Sequence, residues 1–217
     1  MLYSSSKINI LISLLKELTL EDVRFIEENL DEQFKALRYL YNNIKNKDSF
    51  PILVVLNSLV SYQLSTTGEN YWWEFSKYFS VNDTKDEINS MIEFLKASKG
   101  NKRFLSTKIK RLEKVRPYIK YIKNNYEYFY ESMSEFCIFL SNILNQKRDS
   151  KTIVFAVKMF GYAMRIYNGK FIRYPYDISI PVDYRIEKIT KKFTNEDPRG
   201  FWFKISKETN IPMLHLD

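Results

Sequence analysis

Two lysines and an aspartate are the residues of this chain best suited to covalent chemistry. Lys151 follows Ser150, an expected N-cap, and opens the helix-periodic segment KTIVFAVKMFGYAMR. A cation at a helix start faces the positive end of the helix dipole, so an acidic residue is the expected occupant and lysine is unfavourable there. The same helix end, with partial burial, favours the neutral amine. Only the neutral amine can attack a sugar C1′ or form a Schiff base. Lys158 lies seven residues on, two turns along and close to the same face. It interrupts an otherwise apolar run from Ile153 to Tyr162, and a lysine buried there requires a partner. Phe155, four residues from Lys151, stands over it on that face. Asp183 follows Pro181-Val182 at the start of another predicted helix. Singly, these residues read as an exposed lysine and a capping aspartate.

Helices must position them. Five Gly and six Pro in 217 residues are too few for an all-β chain, so long helices with short connections are expected. Ile8, Leu11, Ile12, Leu15 and Leu18 mark a first helix. Thr19 caps a second through Val23, Phe25 and Ile26, with Glu21 and Asp22 in its first turn. Phe34, Leu37, Leu40, Tyr41 and Ile44 mark a third. Ser49 and Pro51 open a fourth, apolar nearly all round from Ile52 to Leu64 and therefore the central buried helix. Gly68 separates it from a helix over 69–79, and Asp83 or Thr84 caps the next, to about Ala97. Residues 97–104 form a loop. A helix carrying Phe136, Leu140 and Leu144, the polar turn 145–150 and a helix from Lys151 to about Tyr167 make an αα-hairpin over about 134–167. Residues 169–181 are irregular; helices follow from Tyr184 and from Asp197-Pro198, the last with Trp202, Phe203 and Ile205 as its apolar residues.

Composition excludes much else. Cys137 and His215 are the sole cysteine and histidine, which removes disulfides, cysteine zinc sites and four-cysteine clusters, and the Ser-His-Asp and Cys-His mechanisms. No metal and no cofactor are expected. No apolar run approaches a membrane span. Residues 1–16 lack the basic segment and cleavage site of a secretory leader, so a cytoplasmic location is the expectation. The formal charge of +8 suits a polyanionic partner. From Lys96 to Arg116 nine basic residues face Glu113 alone, which reads as a phosphate-contacting surface.

The segment KTIVFAVKMFGYA from Lys151, with PVD at 181–183 behind it, resembles the archaeal 8-oxoguanine DNA glycosylase/lyase family. The blocks LVSYQLSTTGENYWWEF from Leu59 and IPMLHLD from Ile211 agree, and the resemblance runs from about residue 30 onward. It implies an all-α fold of two helical subdomains flanking a cleft, built as a single domain over 1–217 around a variant helix-hairpin-helix. It implies that Lys151 displaces the oxidised base and forms a Schiff base, that β-elimination then cuts the strand, and that Asp183 assists as general acid/base or charge stabiliser. The base pocket implied by the family matches Gln33, Ser61, Trp72, Phe155, Pro181 and Asp217, and Lys158 joins the substrate-binding set. Family chains run on past the matching aspartate to a tryptophan one turn later. Asp217 is the last residue here, a departure that bears on base affinity and selectivity, not on the chemistry at Lys151.

The implied substrate fits these residues. A glycosylase flips its target nucleotide into a pocket, where Trp72 and Phe155 can stack on the base. Trp72 and Trp73 point about 100° apart on a helix, so one is expected in the core and the other in the pocket. Oxidation at C8 turns N7 of guanine into a donor; Gln33, Asp217 or a main-chain carbonyl could accept from it. The partner is then double-stranded DNA containing 8-oxoguanine, with single-stranded DNA left open, acted on by a monomer. The alternative is a non-catalytic helical DNA-binding protein in which Lys151 only touches phosphate.

Overall fold

A computed structural model describes residues 2–217, with side chains from Ser6 onward, and among these residues all regular structure is helical. The helices are α1 (Leu2–Lys16), α2 (Leu20–Asn29), α3 (Glu32–Asn43), α4 (Phe50–Val60), α5 (Gly68–Val81), α6 (Glu87–Ala97) and α7 (Leu105–Val115). After them come α8 (Ile119–Asn124), α9 (Tyr126–Glu131), α10 (Met133–Leu144), α11 (Lys151–Asn168), α12 (Tyr184–Thr190) and α13 (Pro198–Thr209).

Two hydrophobic cores organise them. In the larger, every residue of α4 is buried and α11 packs along it, with α3, α5 and α10 around the pair. The smaller joins Ile180, Ile186, Phe201, Trp202, Ile205 and Met213 to Ile8, Leu11, Ile12 and Leu15 of α1. The two ends of the chain thus share one core, and the long middle builds the other. No helix is long and apolar enough to cross a membrane among the described residues.

Local chemistry explains where the helices stop. Thr19 and Asp22 form a reciprocal capping box on α2. The central helix ends at Val60, four residues before Leu64: the Ser61 hydroxyl bonds back to the Asn57 carbonyl at 2.6 Å, and Gln63 turns left-handed. Gly68 is the first residue of α5 rather than the break before it, because Thr67 supplies the cap. Asp86 caps α6 in place of Asp83 or Thr84. Ser150 occupies the N-cap of α11, but its side chain makes no capping hydrogen bond. Leu18 falls beyond the end of α1.

Two apolar assignments also shift. Phe25 and Ile26 are exposed, because α2 turns Val23 and Glu27 inward and Glu27 is held there by Arg165 and His215. On α13 the buried ring beside Trp202 is Phe201, and Phe203 is exposed. The α10–α11 hairpin closes through left-handed Asn145 and a bond from the Gln146 amide to the Ser141 carbonyl. Phe136 and Phe160 pack across it with ring centroids 4.4 Å apart.

Candidate active site

A cavity of about 460 Å³ opens between the two cores. From the larger side come Gln33 of α3, residues 61–64 and 66–67 of the α4–α5 loop, Gly68, Glu69 and Trp72 of α5, and Lys151 and Phe155 of α11. From the smaller side come Pro181, Asp183, Arg185 and Asp217. The structure therefore brings Gln33, Ser61, Trp72, Lys151, Phe155, Pro181, Asp183 and Asp217 to one wall system, although they are spread over most of the chain.

Trp72 and Phe155 meet edge to face, centroids 6.2 Å apart. Trp72 is buried in the core and lines the cavity at once. Trp73 is half-buried at the edge of the larger core, its indole donating to Glu32 at 3.1 Å and its ring packing on Tyr39. The expected division is thereby corrected: Trp72 serves core and cavity together, and Trp73 does not line the cavity.

Lys151 begins α11 with its side chain exposed, so the expected partial burial is absent. The adjacent helix start carries a further cation: Arg111 donates to the Thr152 hydroxyl at 3.0 Å and to the Leu59 carbonyl at 3.2 Å. Across the cavity Asp183 caps α12, accepting from the Ile186 amide at 2.9 Å and from Arg185 Nε at 3.2 Å. Burial pushes the Asp183 carboxyl pKa up, but the Ile186 amide and the charges of Arg185 and Lys151 together hold it below the usual aspartate range. Asp183 is a carboxylate at neutral pH.

Lys158 is not on the cavity wall. It is buried one layer behind, donating to Asp217 through Oδ2 at 2.8 Å and the main-chain oxygen at 2.9 Å. Burial opposes its charge, yet Asp217, Asp31 and Glu27 more than offset this and raise its pKa. Asp217, the residue it anchors, lines the cavity in its place. Behind this pair Glu27 accepts from Arg165 at 2.8 Å and contacts His215 Nδ1 at 2.8 Å, and Tyr162 donates to Asp31 at 3.0 Å. The Tyr174 amide donates to His215 Nε2 at 3.3 Å. The lone histidine is a structural link and lies outside the cavity lining.

The basic stretch divides. Lys108 is fully buried, donating to the Tyr62 carbonyl at 2.8 Å and to Asn101 Oδ1, and burial brings its pKa down to about 8. Arg111 is committed to Leu59, Thr152 and the Tyr62 ring, and Arg116 to Glu113, Asp86 and Asn89. Lys108 and Arg111 hold the loop and helix ends beside the cavity, Arg116 ties the end of α7 to the start of α6, and none of the three is a free phosphate contact. Lys96, Lys99, Lys102, Arg103, Lys110 and Lys114 remain exposed.

Sequence reasoning missed Arg185, Glu69 and most of the 62–68 loop as cavity lining. Arg185 had a signal, standing two residues after Asp183. The loop's residues follow no period, and its one signal was the family block that begins at Leu59. Among the described residues no group of three His, Cys, Asp or Glu is placed to hold a metal ion.

Comparison with known proteins adds an independent line. A family model described as AGOG, N-glycosylase/DNA lyase, matches residues 12–217. An N-glycosylase/DNA lyase of Methanococcus maripaludis is 47% identical over 214 residues, covering 97% of this chain and 85% of the relative. One from Thermococcus kodakarensis is 45% identical over 217 residues, covering 99% and 82%. The crystal structure of the 8-oxoguanine DNA glycosylase Pa-AGOG from Pyrobaculum aerophilum, complexed with 8-oxoguanosine, superimposes with a TM-score of 0.87. Its identity is 29%, and the match covers 98% of this chain and 85% of that one.

Proposed function

The chain belongs to the AGOG family of N-glycosylase/DNA lyases, and from that premise we propose that it excises 8-oxoguanine from DNA with Lys151 as nucleophile. It is a base-excision repair enzyme, a DNA glycosylase with lyase activity. The single observation that carries the finer reading is the convergence of Lys151, Asp183 and the Trp72–Phe155 pair on one cavity.

The volume lies within the usual range for small-ligand sites and is walled by aromatic faces suited to a flipped base. The Lys151 amine attacks C1′ as the N-glycosidic bond breaks, and the base leaves with the bonding electrons. Loss of a proton from nitrogen and opening of the sugar ring give a Schiff base. Removal of a C2′ proton then expels the 3′ phosphate by β-elimination. Asp183, held as a carboxylate, is suited to accept a proton and to steady positive charge at C1′; it is poorly suited to donate one at neutral pH.

Gln33, Ser61, Pro181 and Asp217 complete the base pocket in this reading. Gln33 or Asp217 accepts from N7–H, the donor that normal guanine lacks. Asp217 is held for that task by Lys158. The α10–α11 hairpin serves as the helix-hairpin-helix of a single-domain monomer acting on duplex DNA, and the exposed lysines around α7 meet phosphate.

Borohydride trapping tests the assignment. An 8-oxoguanine duplex is expected to yield a covalent adduct with wild-type protein and none with Lys151→Gln, while binding persists. An equal adduct yield from Lys151→Gln would move the nucleophile elsewhere.

A further inference from the structure

Four non-glycine residues adopt positive φ among those described: Gln63, Phe104, Asn145 and Asn210. Two need no special account. Asn145 and Asn210 end α10 and α13, where asparagine often takes a left-handed C-cap. Gln63 and Phe104 end no helix, and neither residue type is favoured at φ values of 50° and 55°. Strain of this kind persists where the surroundings enforce it, and it gathers at functional sites.

One residue lines the cavity and the other lies on a loop bonded to the cavity's rim. Gln63 is exposed and lines it. Phe104 lies on the α6–α7 loop, which is joined to the Gln63 loop by a bond from the Ser65 amide to the Gly100 carbonyl at 2.8 Å. The joint is rigid. Glu74 accepts from the amides of Lys99 and Gly100, and Asn101 is buried between Val60, Tyr71 and Lys108. A Cβ at Gly100 would come within 2.7 Å of both Glu74 and Thr66, so the two loops touch where only glycine fits.

On this fixed support Phe104 is 59% exposed. A large ring left mostly in water on a strained backbone gains little from the fold. Its neighbours Lys99, Lys102 and Arg103 are exposed, and none of the three forms an ion pair among the described residues. Four residues of chain span at most roughly 14 Å, so Phe104 stays within about four base steps of the loop joint. An apolar ring flanked by free cations, next to a cavity that receives a base, has the chemistry of a side chain inserted between bases.

We propose that Phe104 is a wedge that enters the duplex stack where the target nucleotide has left it, with Gln63 facing the base left without a partner. The ring stacks on the opened step, the flanking cations take the phosphates on either side, and the vacated space is filled while the nucleotide occupies the cavity. The inference rests on the reading that the cavity accepts a flipped 8-oxoguanine nucleotide.

The test uses Phe104→Gly in the full chain. Glycine accepts the left-handed backbone without strain, so the thermal midpoint is expected to stay level or rise, which separates this variant from one that misfolds. Single-turnover excision of 8-oxoguanine paired with cytosine is expected to fall about tenfold, the scale of one lost base–aromatic stack. On the same lesion in a single-nucleotide bulge, where no base pair must be opened, the loss should be within about twofold. Phe104→Tyr should restore the paired rate. A paired rate within twofold of wild type, or an equal loss on paired and bulged lesions, would overturn the wedge. Wild-type protein that leaves both lesions intact would overturn the substrate reading instead. The wedge is then judged from borohydride adducts at an abasic site in duplex, where Phe104→Gly should again form them about tenfold more slowly and an unchanged rate overturns it.

Discussion

Replacing Lys158 with methionine should cost the fold more than any exposed lysine could, and should damage the cavity without touching it. The Lys158 side chain is 4% exposed and its ammonium is bonded twice to Asp217, whose side chain is 6% exposed. Asp31 and Glu27 add negative charge nearby. Removing the cation leaves a buried carboxylate uncompensated, which costs about 3–5 kcal/mol. For a chain of this size that lowers the thermal midpoint by roughly 10 °C. The double variant Lys158→Met/Asp217→Leu removes both charges, and its stability should return to within about 1 kcal/mol of wild type. Excision should remain impaired in both, because neither retains an ordered carboxylate at position 217. The folded pKa of Lys158 lies above 10.5. Its stabilisation is therefore complete below that pH and is lost as pH rises through the folded value. The deficit of the single variant should stay constant from pH 6 to 9 and narrow only in stronger alkali. Urea unfolding at pH 7 and pH 9, with single-turnover excision at pH 7, reads all of this. A single-variant cost under about 1 kcal/mol, or a double variant no more stable than the single, would refute the buried ion pair as the anchor of Asp217.

Asp183→Asn should retain the α12 cap, since asparagine caps as well as aspartate, yet slow single-turnover chemistry about a hundredfold or more; rates within threefold of wild type would leave Asp183 a capping role alone. The Lys108 pKa falls from 10.5 in the unfolded chain to about 8 in the fold, so the unfolded state binds the extra proton between those values. Stability from this group therefore rises with pH from about 8 to about 10.5. Urea midpoints of wild type and Lys108→Met over that range should show the rise in the former only. Neutralising Lys110 and Lys114 should weaken binding to damaged and undamaged duplex alike and flatten the slope of log K against log salt by about 0.9 per contact. An unchanged slope in that double variant would make this face of α7 a merely solvated surface.

The sequence was sufficient where information is local or carried by residue type. Helix periodicity, the Thr19 cap and the polar turn 145–150 show in short windows because the physics that makes them spans a few residues. One cysteine and one histidine were enough to exclude whole classes of chemistry. The segment from Lys151 with its trailing Pro-Val-Asp was specific enough to name the family, and the family carried Gln33, Ser61 and Asp217 into the pocket. Nothing in the periodicity of those three would have done so.

Tertiary structure decided what each charge is for. Lys108, Arg111 and Arg116 look like Lys110 and Lys114 in a row of letters. The fold buries the first, commits the next two to carbonyls and carboxylates, and leaves the last two in solvent. Lys158 reads as a pocket residue because it follows Lys151 by two turns, yet it stands behind the wall because Asp217, 59 residues later, folds back onto it. The left-handed turns at Gln63 and Phe104 carry no glycine to announce them, and the contact between their loops, from Ser65 to Gly100, joins segments far apart in the chain. A charge or a strained backbone takes its meaning from what surrounds it. In this chain the surroundings come from elements that sequence spacing does not bring together.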